Sequence, residues 1–206
     1  MKNIIKIIKY MALGILLYIL IAGIIFNHII PVRPPSFNEF KTTHPFLRSE
    51  QEGFLIEPVT CELEQMRADI TINAFAAGPP LHVHETFDEY FEVKKGKLSL
   101  IVDGKKRFLK AGEHIWIKRG TPHKPFNEQS EPVILQSDVP VMPYSFAYGL
   151  SKLYPVMDRH GMNSPKVLFQ LCKLGNNMDT WLADKPIVIQ KLLRWVIGPT
   201  ARIFNL

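Results

Sequence analysis

Hydrophobic and polar positions divide the chain into an apolar beginning, a middle that alternates like strands, and an end with helical periodicity. Met11 to Phe26 is apolar apart from the hydroxyl of Tyr18, and residues 10–30 carry no charge. As a helix this stretch is roughly 30 Å long, which matches the hydrocarbon core of a bilayer. Lysines precede it and Pro31 ends it.

We therefore expect residues 1–30 to be a retained transmembrane anchor. A cleaved signal peptide is the first alternative, but its apolar region is normally shorter and ends in a small-x-small site, which this run lacks. A buried helix of a soluble domain is the second, although such helices seldom continue this far without a charge. The preceding lysines predict a cytoplasmic N-terminus, so the single-pass topology puts the remainder outside the cytoplasm.

The middle of the chain predicts a linker and then a β domain. Residues 31–54 contain prolines with little periodicity and predict the linker. Residues 55–140 read as short strands separated by turn signals, including an Asp-Gly hairpin signal at 103–104, which is typical of a sandwich or barrel. One strand places its apolar side chains on a single face: Met66, Ala68, Ile70, Ile72 and Ala74.

Residues 141–206 predict helices. The first segment, residues 145–161, can form a helix that Pro155 interrupts. The second has Asn163 or Ser164 as its cap, and Gly175 as its stop.

The last predicted helix begins near Pro186 and is apolar around most of its circumference. Its narrow polar stripe holds Gln190, Lys191 and Arg194, and Trp195 lies on the apolar part. Such a profile fits a helix lying in a membrane interface. A helix packed on the β domain or on a homodimer partner fits equally well.

The distribution of charge argues against a nucleic-acid-binding protein, and the cysteine content argues against a disulfide-rich one. The formal charge of +6 is dispersed, and no basic run interleaved with aromatic residues indicates nucleic acid. Membrane lipid with anionic head groups is the expected partner. Cys61 and Cys172 form no disulfide framework, so they are either bridged or two separate buried side chains.

Candidate chemistry lies in the stretch LHVHETFDEYFEVKKG. His82 and His84 share a strand face because side chains alternate, and Glu89 shares its face with apolar residues on the next strand. Titratable groups that enter an apolar interior are costly unless something neutralises them. A first-row divalent cation suits two imidazoles and a carboxylate, and His123, behind a tight turn, offers a fourth ligand.

These stretches resemble the paired motifs of the cupin superfamily. The matching residues are His82, His84, Glu89 and Gly96 in the first motif, and Gly112, Gly120, His123 and Asn127 in the second, where Lys118 replaces the usual proline. The resemblance implies a mainly β fold, a small antiparallel β-barrel of jelly-roll (double-stranded β-helix) type, with an N-terminal transmembrane helix and C-terminal α-helices added to it here. It also implies that His82, His84, Glu89 and His123 hold a divalent transition metal: iron, manganese, zinc, nickel, cobalt or copper.

Two functional classes stay open. The first is a metal-dependent enzyme, such as a cupin dioxygenase or isomerase, acting on a small organic ligand. The second is a non-catalytic module that binds or senses a small ligand at the membrane. The interior face of the strand that starts at Met66 carries no acid or base, so any chemistry is expected to depend mainly on the metal.

Overall fold

The computed structural model describes residues 2–206, and two antiparallel β-sheets form its centre. The strands are β1 (Leu47–Ser49), β2 (Phe54–Glu62), β3 (Gln65–Ile72), β4 (His82–Val83), β5 (Glu89–Lys95), β6 (Lys97–Val102), β7 (Lys105–Lys110), β8 (His114–Ile117), β9 (His123–Phe126), β10 (Val133–Leu135), β11 (Met142–Pro143) and β12 (Trp181–Leu182). The helices are α1 (Lys2–Ile24), continued by a π-helical turn at Ile25–Ile29, α2 (Phe37–Thr43), α3 (Tyr144–His160), α4 (Pro165–Leu174), followed by a 3₁₀ turn at Gly175–Asn177, and α5 (Ile187–Ile203).

The first sheet has the order β1-β2-β3-β10-β5-β8, with β11 also pairing with β3, and the second has the order β12-β4-β9-β6-β7. The predicted jelly-roll type of β fold, with antiparallel sheets, is confirmed, but within residues 2–206 no strand pair joins the two sheets and no closed barrel is found. Closure requires a continuous ladder between edge strands. At one edge of the second sheet, β4 and β12 are only two residues long and cannot provide it.

The strand patterns read from the sequence are otherwise present. Met66, Ala68, Ile70 and Ile72 of β3 are buried, whereas Ala74 lies beyond the end of the strand and is exposed. The Asp-Gly pair joins β6 to β7, and both its residues have positive φ, of 50° and 71°. Two positive φ angles at the centre of a two-residue loop suit the twist of a hairpin.

Residues 31–54, the predicted linker, contain the helix α2 and the strand β1. Phe40 of α2 is fully buried and contacts the ring of Tyr144 edge-on, with centroids 5.3 Å apart. β1 pairs with β2 and so extends the first sheet. The short lengths of both elements explain why periodicity did not indicate them.

The C-terminal helices pack on one another and on the first sheet. α3 passes through Pro155 without the predicted interruption, because buried residues such as Tyr154 and Met157 flank the proline and hold both halves of the helix on the core. α4 begins at a Ser164 cap and ends at Gly175, as predicted. Neither cysteine is bridged: Cys172 is buried and Cys61 is partly exposed.

Lys2–Ile29 is, among the described residues, the one helix long and apolar enough to cross a membrane, by length and composition. Only Ala22 and Gly23 of α1 are buried. A Cβ at Gly23 would overlap the indole of Trp195, so the missing side chain lets α5 lie against the end of α1. Arg202 fixes this contact by donating to the carbonyl oxygens of Phe26, at 2.9 Å, and Ile30, at 2.7 Å.

Candidate metal centre

The four side chains predicted as ligands come together between the two sheets. β4 and β9 are neighbours, and His82 lies directly opposite His123 in their register. His84 follows β4, and Glu89 is the first residue of β5. One potential ligand atom from each of the four residues lies within 4.8 Å of the other three, and all four residues are screened from solvent. The structure thus brings together the whole predicted set.

Each histidine presents the same ring nitrogen to the cluster. Nδ1 of His82 contacts the Pro80 carbonyl oxygen at 2.8 Å, and Nδ1 of His123 contacts the Thr121 carbonyl oxygen at 2.8 Å. Nδ1 of His84 contacts the carbonyl oxygen of Asp179. A carbonyl only accepts, so each Nδ1 donates its proton, and the neutral ring then has a lone pair on Nε2. This is the tautomer and the outer hydrogen bond that metal-binding histidines use.

The Nε2 atoms are poorly satisfied by the protein alone. Nε2 of His123 lies 2.8 Å from Oε2 of Glu89, whereas Nε2 of His84 is 3.8 Å from that oxygen. Within residues 2–206, the His84 Nε2 atom is buried and has no hydrogen-bond partner. An unsatisfied buried nitrogen is costly, and a cation on its lone pair would remove that cost. The residues present therefore fit a divalent metal ion.

Electrostatics favour an anionic carboxylate among largely neutral rings. Burial opposes ionisation of Glu89, but the hydrogen bond with His123 and the charges of the three histidines outweigh it and hold its pKa at about 2. Burial lowers the pKa of His82 to about 3 and also lowers the pKa of His84. Burial also acts to lower the pKa of His123, but its hydrogen bond with Glu89 outweighs burial and raises it. A metal requires deprotonated donors, so its binding would displace the proton that His123 shares with Glu89.

The C-terminal extension builds part of this site, which the sequence did not indicate. The Asp179 carboxylate accepts hydrogen bonds from the backbone amides of Glu85, at 2.9 Å, and Thr86, at 2.6 Å. It also accepts from the Thr86 hydroxyl at 2.5 Å and from the Trp181 indole at 2.7 Å. The loop after His84 is thereby attached to a segment almost one hundred residues away.

A cavity of about 530 Å³ lies beside the cluster. His82, His84 and Glu89 line it, and most of the remaining wall is apolar. Its size falls within the range of small-molecule sites, which combine apolar walls with a few polar groups.

Glu52 and Tyr154 supply the acid–base groups that the sequence did not reveal. Both line the cavity, and the Tyr154 hydroxyl donates to Oε2 of Glu52 at 3.1 Å. Burial, aided by the charges of Asp158 and Glu89, raises the pKa of Glu52 to about 7, although the Tyr154 hydrogen bond opposes the shift. Glu52 lies between β1 and β2, in the segment predicted as a linker, where no local pattern could have indicated it.

Other polar residues near the motifs take structural roles. Asp88 accepts from the Arg119 amide at 2.9 Å and pairs with Lys118 at 2.7 Å, and Glu85 pairs with Lys191 at 2.7 Å. His114 is exposed on β8, outside the cluster.

One residue matched in the motifs and a glycine before the first motif fix loop shape. The buried Asn127 amide donates to the Asn73 and Glu131 carbonyl oxygens, at 2.8 Å each. Gly78, which precedes the first motif, has φ +68°, and a Cβ there would overlap the carbonyl oxygen of Pro125.

Comparison with known proteins identifies the β region. Residues 70–140 match the family model described as the cupin domain, so the chain contains a cupin domain. A curated relative, the oxidoreductase iacF of Pestalotiopsis fici, is 37% identical over 59 residues. The matched segment covers 28% of this chain and only 29% of that protein, so its activity does not carry over.

Solved structures give weaker similarities. KdgF from Halomonas sp. is 21% identical with a TM-score of 0.39, and the match covers 46% of this chain and 84% of that one. A protein described as a sugar phosphate isomerase from a cupin superfamily, from Silicibacter pomeroyi, is 17% identical with a TM-score of 0.39, covering 51% of this chain and 64% of that one. These identities and scores are too low to transfer a function.

Proposed function

We propose that this protein is a membrane-anchored metal-dependent cupin that binds a small organic ligand in the cavity and catalyses a proton-transfer reaction of isomerase type on it. The observation that carries the metal is the common orientation of the histidines. Three Nδ1 atoms donate to backbone carbonyls, and the Nε2 atoms of His123 and His84 lie 2.8 Å and 3.8 Å from Oε2 of Glu89. The Nε2 of His84 has no hydrogen-bond partner within residues 2–206.

The protein's own groups support proton transfer. A divalent cation bound by His82, His84, Glu89 and His123 would supply Lewis-acid polarisation of a ligand oxygen. Glu52 has a pKa of about 7, so at neutral pH its carboxyl group exists in both protonated and ionised forms. A carboxyl group in that range can take a proton from one ligand atom and return it to another, and Tyr154 holds it in place. A dioxygenase reaction at the same metal is the alternative chemistry.

Membrane attachment is the second part of the proposal. The helix Lys2–Ile29 would cross the bilayer with its N-terminus in the cytoplasm, and the cupin domain would lie outside. α5 would lie in the interface, because Val188 and Leu192 are exposed and Trp195 contacts α1 at Gly23. A homodimer that covers this face of α5 is the alternative.

A non-catalytic sensing module is the second candidate, and one set of contacts favours it. Arg194 of α5 donates to the carbonyl oxygens of Met178 and Thr180, on both sides of Asp179. Asp179 in turn contacts His84. Occupancy of the cluster would then alter α5, which slower or faster hydrogen exchange of α5 amides on metal loading would reveal.

Elemental analysis of the full chain purified from membranes tests the metal site. We expect about one transition-metal ion per chain, from four ligands at one centre. His84→Ala should lose the metal, whereas His114→Ala, which removes an exposed histidine outside the cluster, should retain it. Equal metal content in both variants, or no divalent metal after loading of the unaltered protein, would contradict the proposal.

Two measurements test the membrane arrangement. Protease added to intact cells should digest the chain beyond residue 31; digestion only in inverted vesicles would reverse the topology. A fluorophore on Leu192→Cys in nanodiscs should be quenched by nitroxide lipids, whereas one on Lys105→Cys, in the exposed β6–β7 hairpin, should not. An unquenched label together with two chains per particle would place α5 against a second copy.

A further inference from the structure

We propose that the ligand is an amphiphile with a long apolar chain and a metal-binding oxygen head group, and that it reaches the cavity from the bilayer between α4 and α5. This inference rests on the proposed function, because the head group is assigned to the metal cluster. It adds the chemical class of the ligand and its route.

The walls of the cavity favour an apolar chain. The first sheet contributes Phe54, Ile56 and Phe91, and α3 contributes Leu150 and Met157. Burying a hydroxyl or charge against such walls without a partner is costly, so a sugar or a phosphorylated ligand would lose more than it gained. An alkyl or isoprenoid chain would leave no polar group unsatisfied there.

The buried side of the cavity carries a cluster of titratable groups. His82, His84, Glu52 and Tyr154 are all buried, and Glu89 lies with them in the cluster. The guanidinium of Arg194 also lines the cavity, but backbone carbonyls already occupy it. Gln190 is likewise occupied, by backbone groups of Leu182 and Lys185. The cavity thus offers a buried place for a polar head group next to the metal ligands, and apolar space for the rest of the molecule.

The open side of the cavity exposes large aliphatic side chains, alongside the polar residues Asn163 and Lys185. Four large aliphatic lining residues are substantially exposed: Leu168 of α4 at 41%, Leu182 of β12 at 42%, and Ile189 and Leu193 of α5 at 53% and 43%. Together these four residues form what we call the mouth. Exposing four large aliphatic side chains to water is unfavourable, because each loses the free energy of burial. An exposed apolar patch of this kind is typical of a surface that contacts a membrane or an apolar ligand.

The mouth lies on the helix that contacts the apolar N-terminal helix. α5 carries Ile189 and Leu193, and later in the same helix Trp195 covers Gly23 and Arg202 binds the Phe26 carbonyl oxygen. Exposed Val188 and Leu192 extend the apolar surface beside the mouth. A ligand dissolved in lipid would pass from the bilayer into the cavity without crossing water.

The test uses alkyl hydroxamates as probes of the full chain in phospholipid nanodiscs, loaded with cobalt(II). Hydroxamate oxygens bind the metal, and the cobalt absorption spectrum reports that binding. Acetohydroxamate has almost no chain, whereas dodecanohydroxamate has a long one. Comparing variants in identical nanodiscs cancels the partition of each probe into lipid.

Leu193→Trp narrows the mouth, and Leu192→Trp is its control. Leu192 is exposed on the same helix but does not line the cavity. Each buried methylene is worth about fourfold in affinity, so excluding a few of them has a large effect. We expect Leu193→Trp to weaken dodecanohydroxamate binding at least about tenfold and to leave acetohydroxamate within about twofold. Leu192→Trp should leave both probes within about twofold.

The outcomes separate the ligand class from the metal site. If Leu193→Trp leaves dodecanohydroxamate unchanged, or weakens both probes equally, the apolar route is wrong while the metal site stands. The same holds if Leu192→Trp reproduces the effect. Failure of the unaltered protein to take up cobalt, measured by elemental analysis, would overturn the proposed function and this inference together.

Discussion

The histidines of the cluster are held in two different ways. His82 and His123 each donate to a carbonyl oxygen two residues earlier, on Pro80 and Thr121. His84 donates to Asp179, 95 residues later. The first kind of support is local and follows from the turn that precedes each strand. The second exists only when the C-terminal extension is in place.

Glu52 repeats the long-range kind, since its partner Tyr154 is 102 residues away on α3. β12 does so again, because its Leu182 lies opposite His82 in the second sheet. The motifs therefore supply the four residues of the cluster, while the extension supplies the partner of His84, the partner of Glu52 and a strand. The extension is part of the site, and not an addition beside it.

Removing a histidine that has local support should lower metal affinity more than the other changes below. His123→Ala removes a ligand atom, and we expect metal affinity to fall by more than about 100-fold, because outer hydrogen-bond partners alone are worth 10–100-fold. Competition with a metallochromic chelator measures the affinity. Lys124→Ala, at the neighbouring half-buried position of β9, should be close to the unaltered protein. Equal affinity for both variants would remove His123 from the site.

Removing the long-range support of His84 should lower metal affinity by the next largest amount. Asp179→Ala leaves the carbonyl that His84 uses but removes the acceptor for the Glu85 and Thr86 amides. We expect metal affinity to fall about 10–100-fold, because the loop loses the contacts that orient His84. The control is Asp184→Ala, an exposed carboxylate of the same segment. An unchanged affinity in Asp179→Ala would mean that the local turns suffice.

The long-range contact of Glu52 can be tested through the pH dependence of stability. Its pKa in the folded protein, about 7, is raised above the ordinary value of 4.5, so only the folded state holds this proton between those values. The free energy of unfolding therefore falls as pH rises from about 4.5 to about 7, by on the order of 3 kcal/mol. Glu52→Gln should remove this loss.

Thermal unfolding of the metal-free protein, from about pH 4.5 to about pH 8.5, measures the effect. This range includes the pKa of Glu52 in both the unfolded and the folded state. Glu52→Gln should match the unaltered protein at the acidic end and exceed it at the alkaline end. Glu57→Gln, at an exposed position of β2, is the control and should show no such divergence. Parallel curves for Glu52→Gln would indicate that its carboxyl group does not hold a proton at neutral pH.

The smallest effect should come from a long-range contact on the surface. Lys191 of α5 pairs with Glu85 at 2.7 Å, with the two side chains 51% and 33% exposed. Exposed ion pairs contribute roughly 0–1 kcal/mol, and salt screens them. Lys191→Ala should therefore lower metal affinity by less than about fivefold, with the difference vanishing at high salt. A larger, salt-independent loss would give this pair the same importance as Asp179.

The same division explains what the sequence could predict. Alternation placed Met66 and Ile70 in the core, the Asp-Gly pair located a hairpin, and motif spacing located all four residues of the cluster, because each depends on neighbouring residues. Asp179 and Glu52 acquire their roles only through folding. Nothing near either residue in the chain distinguishes it from an ordinary turn acid.

The architecture was predicted less completely for a related reason. Whether a sheet closes depends on its edge strands. The edge strand β12 is only two residues long and lies within residues 141–206, which periodicity assigned to helices. The helix α2 has seven residues, too few for a periodic signal. The division into segments 1–30, 31–54, 55–140 and 141–206 stays a prediction.

The hydrogen bond between His84 and Asp179 also fixes the order in which the protein matures during synthesis. A ribosome adds roughly 5–20 residues per second, so the 95 residues between them take on the order of 10 s to appear. Once His123 has been added, all four residues of the cluster exist, but His84 lacks its partner until Asp179 follows. Tight metal capture is thus postponed until translation is nearly finished, which limits the time in which a half-made chain could acquire the wrong ion.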